Sequence, residues 1–301
     1  MKPVAVVGSY NVGLTIEVDR VPGGGETLLG KGFSQGPGGK GSNQAIAAAR
    51  LGARVRFVGS VGKDSYGDEA LRIWREEGIS ADFVKRVGVH TGLGFVLVGP
   101  SGENSIVIDP GANRELSPGD VEAARGAIEG CGVLLTQLEI PPETALAAAR
   151  VARGEGATVI LNPAPGMKCS SLDLSQVDIL TPNEREFETL TGSPDLSGAK
   201  GVLSMGPRAV VVTLGERGAW VITKDGSALV PAPKVDVVDT TGAGDAFNGA
   251  LAVALNEGEP LTSAVRFANY AGALTVTRKE VVPALPTRGE LEEFRRNDVL
   301  E

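Results

Sequence analysis

Short, almost wholly apolar runs recur along the chain, at residues 4–7, 55–58, 133–135, 158–161, 179–180 and 209–212. They are rich in Val, Leu and Ile and end at small or polar residues, so each is predicted to be a strand. None shows the apolar–polar alternation of a half-exposed strand, which implies a sheet covered on both faces. Helical spacing of apolar residues appears between them, at 43–51, 68–77, 118–129, 142–152 and 184–190. The alternation reads as successive βαβ units: an α/β fold with a largely parallel central sheet flanked by helices.

Two segments, about 12–36 and 91–108, break this rhythm. The second carries a Pro100-Ser101-Gly102-Glu103 turn between alternating stretches, the pattern of a hairpin. Two such β excursions from an α/β core predict a small separate sheet, placed as a lid. With no internal repeat and no linker rich in Pro and Ser, residues 1–301 read as one domain carrying that lid.

Composition narrows the chemistry. A formal net charge of −8 argues against nucleic acid as a partner, because phosphate backbones reward basic surfaces. No apolar run approaches the ~20 residues that span a bilayer, and the first residues enter a strand without an export signal, so a cytoplasmic protein without a membrane partner is expected. Cys131 and Cys169 have no CxxC spacing and read as reduced thiols. His90 is the only histidine, which removes histidine triads and two-histidine metal sites and leaves a carboxylate or lysine as general base. Glycine, 42 of 301 residues, clusters at the junctions between apolar runs, where backbone can approach a ligand.

The richest junction is Asp239-Thr240-Thr241-Gly242-Ala243-Gly244-Asp245-Ala246-Phe247-Asn248-Gly249. An apolar run ends there, small residues turn the chain, and a helix begins. Gly242, Ala243 and Gly244 would leave amide N–H groups exposed at the positive end of that helix, a ready anion site. Asp245 falls in the first turn. A carboxylate there complements the helix dipole; beside a phosphate cradle it can also take the proton from an attacking hydroxyl.

This stretch resembles the C-terminal signature of the ribokinase, or PfkB, family of carbohydrate kinases. The resemblance implies a ribokinase-like three-layer fold with a β-sheet lid, and transfer of the terminal phosphoryl group of ATP to a sugar hydroxyl. It places the catalytic base on Asp245 and the anion hole on Gly242, Ala243 and Gly244. Gly36-Pro37-Gly38-Gly39-Lys40-Gly41-Ser42-Asn43-Gln44-Ala45 resembles the family's sugar-binding motif, implying substrate contacts from Gly39, Lys40, Gly41, Ser42 and Asn43. The same residues spell GxGxxG, but a dinucleotide fingerprint needs a strand immediately before it, and the first strand ends far upstream at Gly8. A Walker A loop fails as well, since Gly41 stands where Ser or Thr is required.

Thr181-Pro182-Asn183-Glu184-Arg185-Glu186 matches the family's NxxE element, implying Asn183 at the phosphates and Glu186 organising Mg²⁺ through water. By its residues alone, the same segment is a good helix start. Thr213-Leu214-Gly215-Glu216-Arg217-Gly218 resembles the nucleotide-binding TLGxxG turn, and Asn269 falls where the family contacts adenine. Gln137-Leu138-Glu139, Asn162-Pro163-Ala164-Pro165 and Gly111-Ala112-Asn113 resemble ribokinases in particular, placing Glu139 at the sugar pocket and D-ribose, phosphorylated on its primary hydroxyl, first among substrates. Fructose, a ketodeoxy sugar acid or a nucleoside are the alternatives, and a non-catalytic sugar sensor is a further one.

One departure bears on the sugar. Ribokinases usually carry N-x-D after the first strand, the acid holding sugar hydroxyls; here Asn11 is kept and Gly13 replaces the acid, with Glu17 and Asp19 nearby as possible substitutes. The resemblance also implies a K⁺ site at Asp239, Thr241, Thr275, Arg278, Glu280 and Ala284, several through carbonyl oxygens, and a homodimer formed by clasped lids.

Overall fold

The fold is built on strands long enough to bury and helices that cover both of their faces. The computed structural model describes residues 1–100 and 104–298. Its strands are β1 (Val4–Val7), β2 (Asn11–Glu17), β3 (Gly32–Gly38), β4 (Val55–Gly62), β5 (Ser80–Val87), β6 (Gly92–Val98), β7 (Asn104–Asp109), β8 (Val133–Gln137), β9 (Thr158–Asn162), β10 (Ile179–Leu180), β11 (Ala209–Thr213), β12 (Ala219–Thr223) and β13 (Gly226–Val230). The helices are α1 (Lys40–Arg50), α2 (Ser65–Glu76), α3 (Pro118–Ala123), α4 (Arg125–Ile128), α5 (Pro142–Gly154), α6 (Glu184–Thr191), α7 (Ala199–Ser204), α8 (Ala243–Asn256), α9 (Leu261–Thr275) and α10 (Arg288–Asp298).

Nine strands form the main sheet in the order β13-β12-β11-β10-β9-β8-β1-β4-β5. From β11 to β5 every pair is parallel; β12 and β13 add an antiparallel edge. Every residue of β1 is buried, and alternate side chains feed two separate cores. Val4 and Val6 pack with α1, α8 and α9, whereas Ala5 and Val7 pack with the layer that includes α5, α6 and α7. That division makes the three layers. The single helix expected over 118–129 is instead two, α3 and α4, broken at Ala124; Ala127 N–H turns back to the Ala124 carbonyl at 2.8 Å, and Gly126 follows the break. Among the described residues, no helix is long and apolar enough to cross a membrane.

The segments that interrupt the rhythm form a second sheet, ordered β3-β2-β6-β7. Two antiparallel hairpins, β2–β3 and β6–β7, are joined through a parallel β2–β6 pair. The Pro-Ser-Gly-Glu turn expected between β6 and β7 falls on residues 101–103, outside the described residues. Two polar ties fix this sheet to the main one. Asp64 caps α2 through Gly67 N–H and also accepts from the N–H and hydroxyl of Thr91 at 2.7 Å each, just before β6. Buried Asn113 accepts from Tyr10 N–H and donates to the Tyr10 carbonyl and to Asn11 Oδ1, fixing the first residues of β2.

Candidate active site

The C-terminal ends of β1, β8, β9, β10 and β11 open onto one crevice, the usual ligand position in an open α/β sheet. The start of α8 points into it. Gly242 is the N-cap, with φ of 83°, and a Cβ there would lie 2.8 Å from Val281 Cγ1, so glycine is required for both conformation and space. Gly244, one turn position further, faces open space. Among the described residues the N–H groups of Gly242 and Gly244 have no backbone partner, and no side chain caps this helix. Asp245 is only 7 % exposed, and its carboxylate is not used as a cap. It is held from the opposite side by α1: Asn43 Nδ2 donates to Oδ2 at 2.9 Å and Gln44 Nε2 to Oδ1 at 3.0 Å. The arrangement joins an open amide cradle to a pinned carboxylate.

A second carboxylate anchors the neighbouring part of the crevice. Glu139 Oε2 accepts from Ser9 Oγ (2.6 Å), Lys40 N–H (2.9 Å) and Asn11 Nδ2 (3.3 Å), while Oε1 has no donor among the described residues. Ser9 also receives Gly41 N–H, so the junction of β3 and α1 is sewn onto the end of β1. Its glycines serve that seam. A Cβ at Gly39 (φ 85°) would lie 2.6 Å from Asn11 N, and one at Gly41 would lie 2.4 Å from Ser9 N. Their small size therefore admits close approach of protein backbone.

Ser42 departs from the sequence reading. It is fully buried and its hydroxyl accepts from Trp74 Nε1 at 2.9 Å, because the α1 periodicity turns this position toward the core. Asn43, one residue on, faces Asp245; its Oδ1 is buried and has no partner. The Lys40 ammonium is half-buried. Burial acts to lower its pKa, but Asp245, Glu139 and Glu186 outweigh that and hold it above the ordinary lysine range. It therefore stays charged between the three acids.

Gly13 lies on the Asn11 face of β2, opposite Gly36 of β3 and Gly94 of β6. Neither nearby acid fills the gap. Asp19 pairs with Lys31 at 2.5 Å, and Glu17 lies over Gly32 at the far end of the strand.

On the other flank, Asn183 and Glu186 form a reciprocal capping box at the start of α6. Asn183 Oδ1 accepts from Glu186 N–H at 2.8 Å, and Glu186 Oε2 accepts from Asn183 N–H at 2.9 Å. The helix-start reading of TPNE is thus realised, while Asn183 Nδ2 and Glu186 Oε1 make no hydrogen bond to the described residues. Burial pushes the Glu186 carboxyl above its ordinary range; the Asn183 N–H and Lys40 oppose this, and Asp245 adds to it. Thr213 N–H bonds to the Pro182 carbonyl at 2.9 Å, bringing the 213–218 turn alongside. In that turn Gly218 N–H reaches the Gly215 carbonyl and Leu214 N–H the Gly218 carbonyl. Exposed Arg217 pairs with Glu184, and Glu216 is exposed. Asn269 is buried rather than on the surface of α9, and its Nδ2 donates to the carbonyls of Val230 and Pro231. Its donor is committed to holding the end of β13, which leaves only Oδ1 for a ligand.

Beside the cradle, Asp239 closes a loop. Oδ1 accepts from the N–H and hydroxyl of Thr241 at 2.9 and 2.7 Å, and Oδ2 from Glu280 N–H at 3.3 Å. Glu280 has φ of 66°, alone among the described non-glycine residues in the left-handed region. The Thr275 hydroxyl is spent on Ala271 O, Arg278 pairs with Glu290, and Ala284 is buried. Any cation ligands from these last three residues would therefore be carbonyl oxygens.

Polar residues outside the sequence-derived set complete the site: Ser9, Gln44, Asn113, Gln137, Asn162, Thr181 and Asn248 are all buried. The available signal was a run of polar residues, Ser42-Asn43-Gln44, early in a helix that then continues as alanine and isoleucine up to its last residue.

Comparison with known proteins gives a consistent result. Residues 1–288 match the model of the pfkB family carbohydrate kinases. The chain is 40% identical to a ribokinase of Haemophilus influenzae over 300 residues, covering 97% of this chain and 98% of that protein. Among solved structures, a ribokinase from Thermotoga maritima superposes with a TM-score of 0.90 at 36% identity, covering 99% of this chain and 100% of that one. An Arabidopsis thaliana ribokinase complexed with ribose and ATP gives a TM-score of 0.88 at 32% identity, with 97% and 98% covered.

Proposed function

From the premise that this chain belongs to the pfkB family of carbohydrate kinases, we propose that it transfers the γ-phosphoryl group of ATP to the primary hydroxyl of D-ribose, with Asp245 as base. One observation carries the mechanism: a buried carboxylate, gripped on both oxygens, stands at the amide-lined start of α8. Ribose lies between Glu139 Oε1, Asn11, Lys40 and the unpartnered Asn43 Oδ1. A buried acceptor without a donor is costly, and a sugar hydroxyl would satisfy it. Asp245 takes the hydroxyl proton as the oxygen attacks phosphorus and the bond to the β-phosphate oxygen breaks. The open Gly242 and Gly244 amides meet the charge on the migrating phosphoryl oxygens, joined by that of Ala243, whose N–H makes only a long bond of 3.4 Å to the Thr240 carbonyl. The 213–218 turn and the free Oδ1 of Asn269 take the nucleotide, and Asn183 Nδ2 reaches toward its phosphates.

A single half-buried carboxylate beside phosphate suits Mg²⁺, which keeps most of its waters. Glu186 would hold it through water, where the ion neutralises phosphate charge. The all-oxygen donor set around Asp239, Thr241, Thr275, Arg278, Glu280 and Ala284 suits K⁺. The second sheet serves as a lid that excludes water from the transfer. One face of that sheet packs on the main core through Val12, Leu14 and Leu93 and leaves Ile16, Phe33, Phe95 and Val107 substantially exposed beyond them, which fits a homodimer of clasped lids. The side-chain-free row Gly36-Gly13-Gly94 favours a second reading, a roomier pocket for another sugar.

Asp245→Asn tests the core of this reading by sugar-dependent ADP release over a panel of sugars. Loss of a general base predicts a fall in kcat of about 10²–10⁴ with ATP affinity retained; near-normal turnover would overturn the assignment, and the panel identifies the sugar.

A further inference from the structure

Gln44 contributes no atom to the cradle, yet it is fully buried and every polar atom it has is used. Its Nε2 donates to Asp245 Oδ1 at 3.0 Å and to Asn162 Oδ1 at 3.1 Å, while its Oε1 accepts from Gln137 Nε2 at 2.6 Å. The chain continues. Asn162 Nδ2 donates to the Thr181 carbonyl at 2.9 Å, the Thr181 hydroxyl to Asn248 Oδ1 at 2.6 Å, and Asn248 Nδ2 to the Gly244 carbonyl at 2.8 Å. Gly244 is bonded to Asp245 by the next peptide, so the path closes on itself. It joins α1, β9, the end of β10 and the first turn of α8.

The direction of every donor in this ring is set at its charged member. A rotated Gln44 amide would turn Oε1 onto the Asp245 carboxylate and onto Asn162 Oδ1. Asn162 cannot rotate in turn without losing its bond to the Thr181 carbonyl. The cost of this fixed direction is carried at the far end, where Gln137 Oε1 is buried without a partner. Gly8 accommodates it: a Cβ at that position would lie 2.2 Å from Gln137 Oε1. An orphaned acceptor two side chains from the carboxylate is what a network ordered around Asp245 leaves behind.

We propose that Gln44, locked by Gln137 and Asn162, is the positioning residue that aims the Asp245 carboxylate and couples its orientation to the Gly244 peptide of the anion cradle. This rests on Asp245 being the base. A carboxylate freed from Gln44 can rotate about its own bond, and small misplacements of a reacting group are expensive in rate. Gln44→Met keeps the shape and removes the donor. It should lower kcat by about 10–100-fold while KM for sugar and for ATP moves by less than about threefold. Gln137→Met, which breaks one hydrogen bond at the outer end, should lower kcat by a smaller factor. The double variant should be no slower than Gln44→Met, because Gln137 acts only through Gln44. A merely structural role would instead move the melting temperature and leave the kcat of folded protein intact. Folded Gln44→Met with kcat within about twofold of the parent overturns the proposal, as do losses that multiply in the double variant. If Gln44→Met does not fold, unchanged kcat in Gln137→Met overturns it. Asp245→Asn, run alongside, separates the two claims: a dead Asp245→Asn with a normal Gln44→Met refutes positioning alone, and an active Asp245→Asn refutes the base.

Discussion

Restoring an acid at position 13 offers a direct measurement of how much sugar recognition this chain gives up there. Gly13 sits two residues after Asn11 on β2, so its Cβ would project from the same face, about 6–7 Å along the strand. The space exists: the nearest atom to that Cβ is the Gly36 carbonyl oxygen at 3.7 Å, an ordinary contact. Both cross-strand neighbours, Gly36 and Gly94, lack side chains. The backbone at 13 is not in the left-handed region, so Asp is conformationally admitted. A carboxylate spanning two adjacent hydroxyls gains charge-assisted hydrogen bonds of ~1.5–3 kcal/mol each. Desolvation removes much of that, and repulsion from Glu139 about another 1 kcal/mol, since Lys40 neutralises part of the local field. A net gain of ~1–2 kcal/mol remains, which corresponds to a KM for ribose about 5–30-fold lower in Gly13→Asp. ADP release measured with ribose and with 2-deoxyribose should show the gain only where the vicinal hydroxyl pair is present. If both sugars respond alike, or neither does, the Asn11 face of β2 does not meet the sugar and the pocket has been placed wrongly.

Two further outcomes follow from the same geometry. Gly41→Ala drives a Cβ to 2.4 Å from Ser9 N and 2.7 Å from the Gly8 backbone, atoms that cannot swing aside; it should cost at least ~1–3 kcal/mol, visible as a lower melting temperature, and an unchanged melt would show that the junction of β3 and α1 is not seated as described. The Glu186 carboxyl, raised mainly by burial, should protonate above the ordinary ~4.3, and only its charged form can attract hydrated Mg²⁺. The half-saturating Mg²⁺ concentration should therefore rise as pH falls through that raised value, and Glu186→Gln should abolish this dependence; an identical pH response in the variant would remove Glu186 from the metal site.

How far the sequence discloses the fold depends on burial. Strands β1, β4, β8, β9, β10 and β11 lie inside the sheet with both faces covered, so each holds a short run that is mainly apolar and stands out. Strand β5 does not, because it is an edge: Ser80–Val87 mixes charged and apolar residues and is only partly buried. The β12–β13 hairpin escapes the same criterion, since β13 is exposed except at Val230, and only its two-residue Lys224-Asp225 turn advertises it. The second sheet was legible as two hairpins, but their union through a parallel β2–β6 pair is a long-range fact that no local pattern encodes.

The site divides along a similar line. Asp245 and its glycines are contiguous, so sequence delivers them as a unit. The residues that orient Asp245 come from separate segments and share no spacing; Gln137, Asn162 and Thr181 each look like the polar end of an apolar strand. What singles them out is cost. Burying five amides and a hydroxyl around one carboxylate is tolerable only if the donors are satisfied in sequence, and a half-satisfied network is worse than an apolar one. Here the satisfied members cluster at Asp245, and the two orphaned oxygens, on Asn43 and Gln137, lie next to the acceptor pocket and at the end of the relay. In the proposed function the first accepts from a sugar hydroxyl. The second is the residue of fixing the direction of the rest, and an apolar side chain at 137 would avoid that cost while leaving Gln44 Oε1 without its donor and Gln44 held only through Nε2.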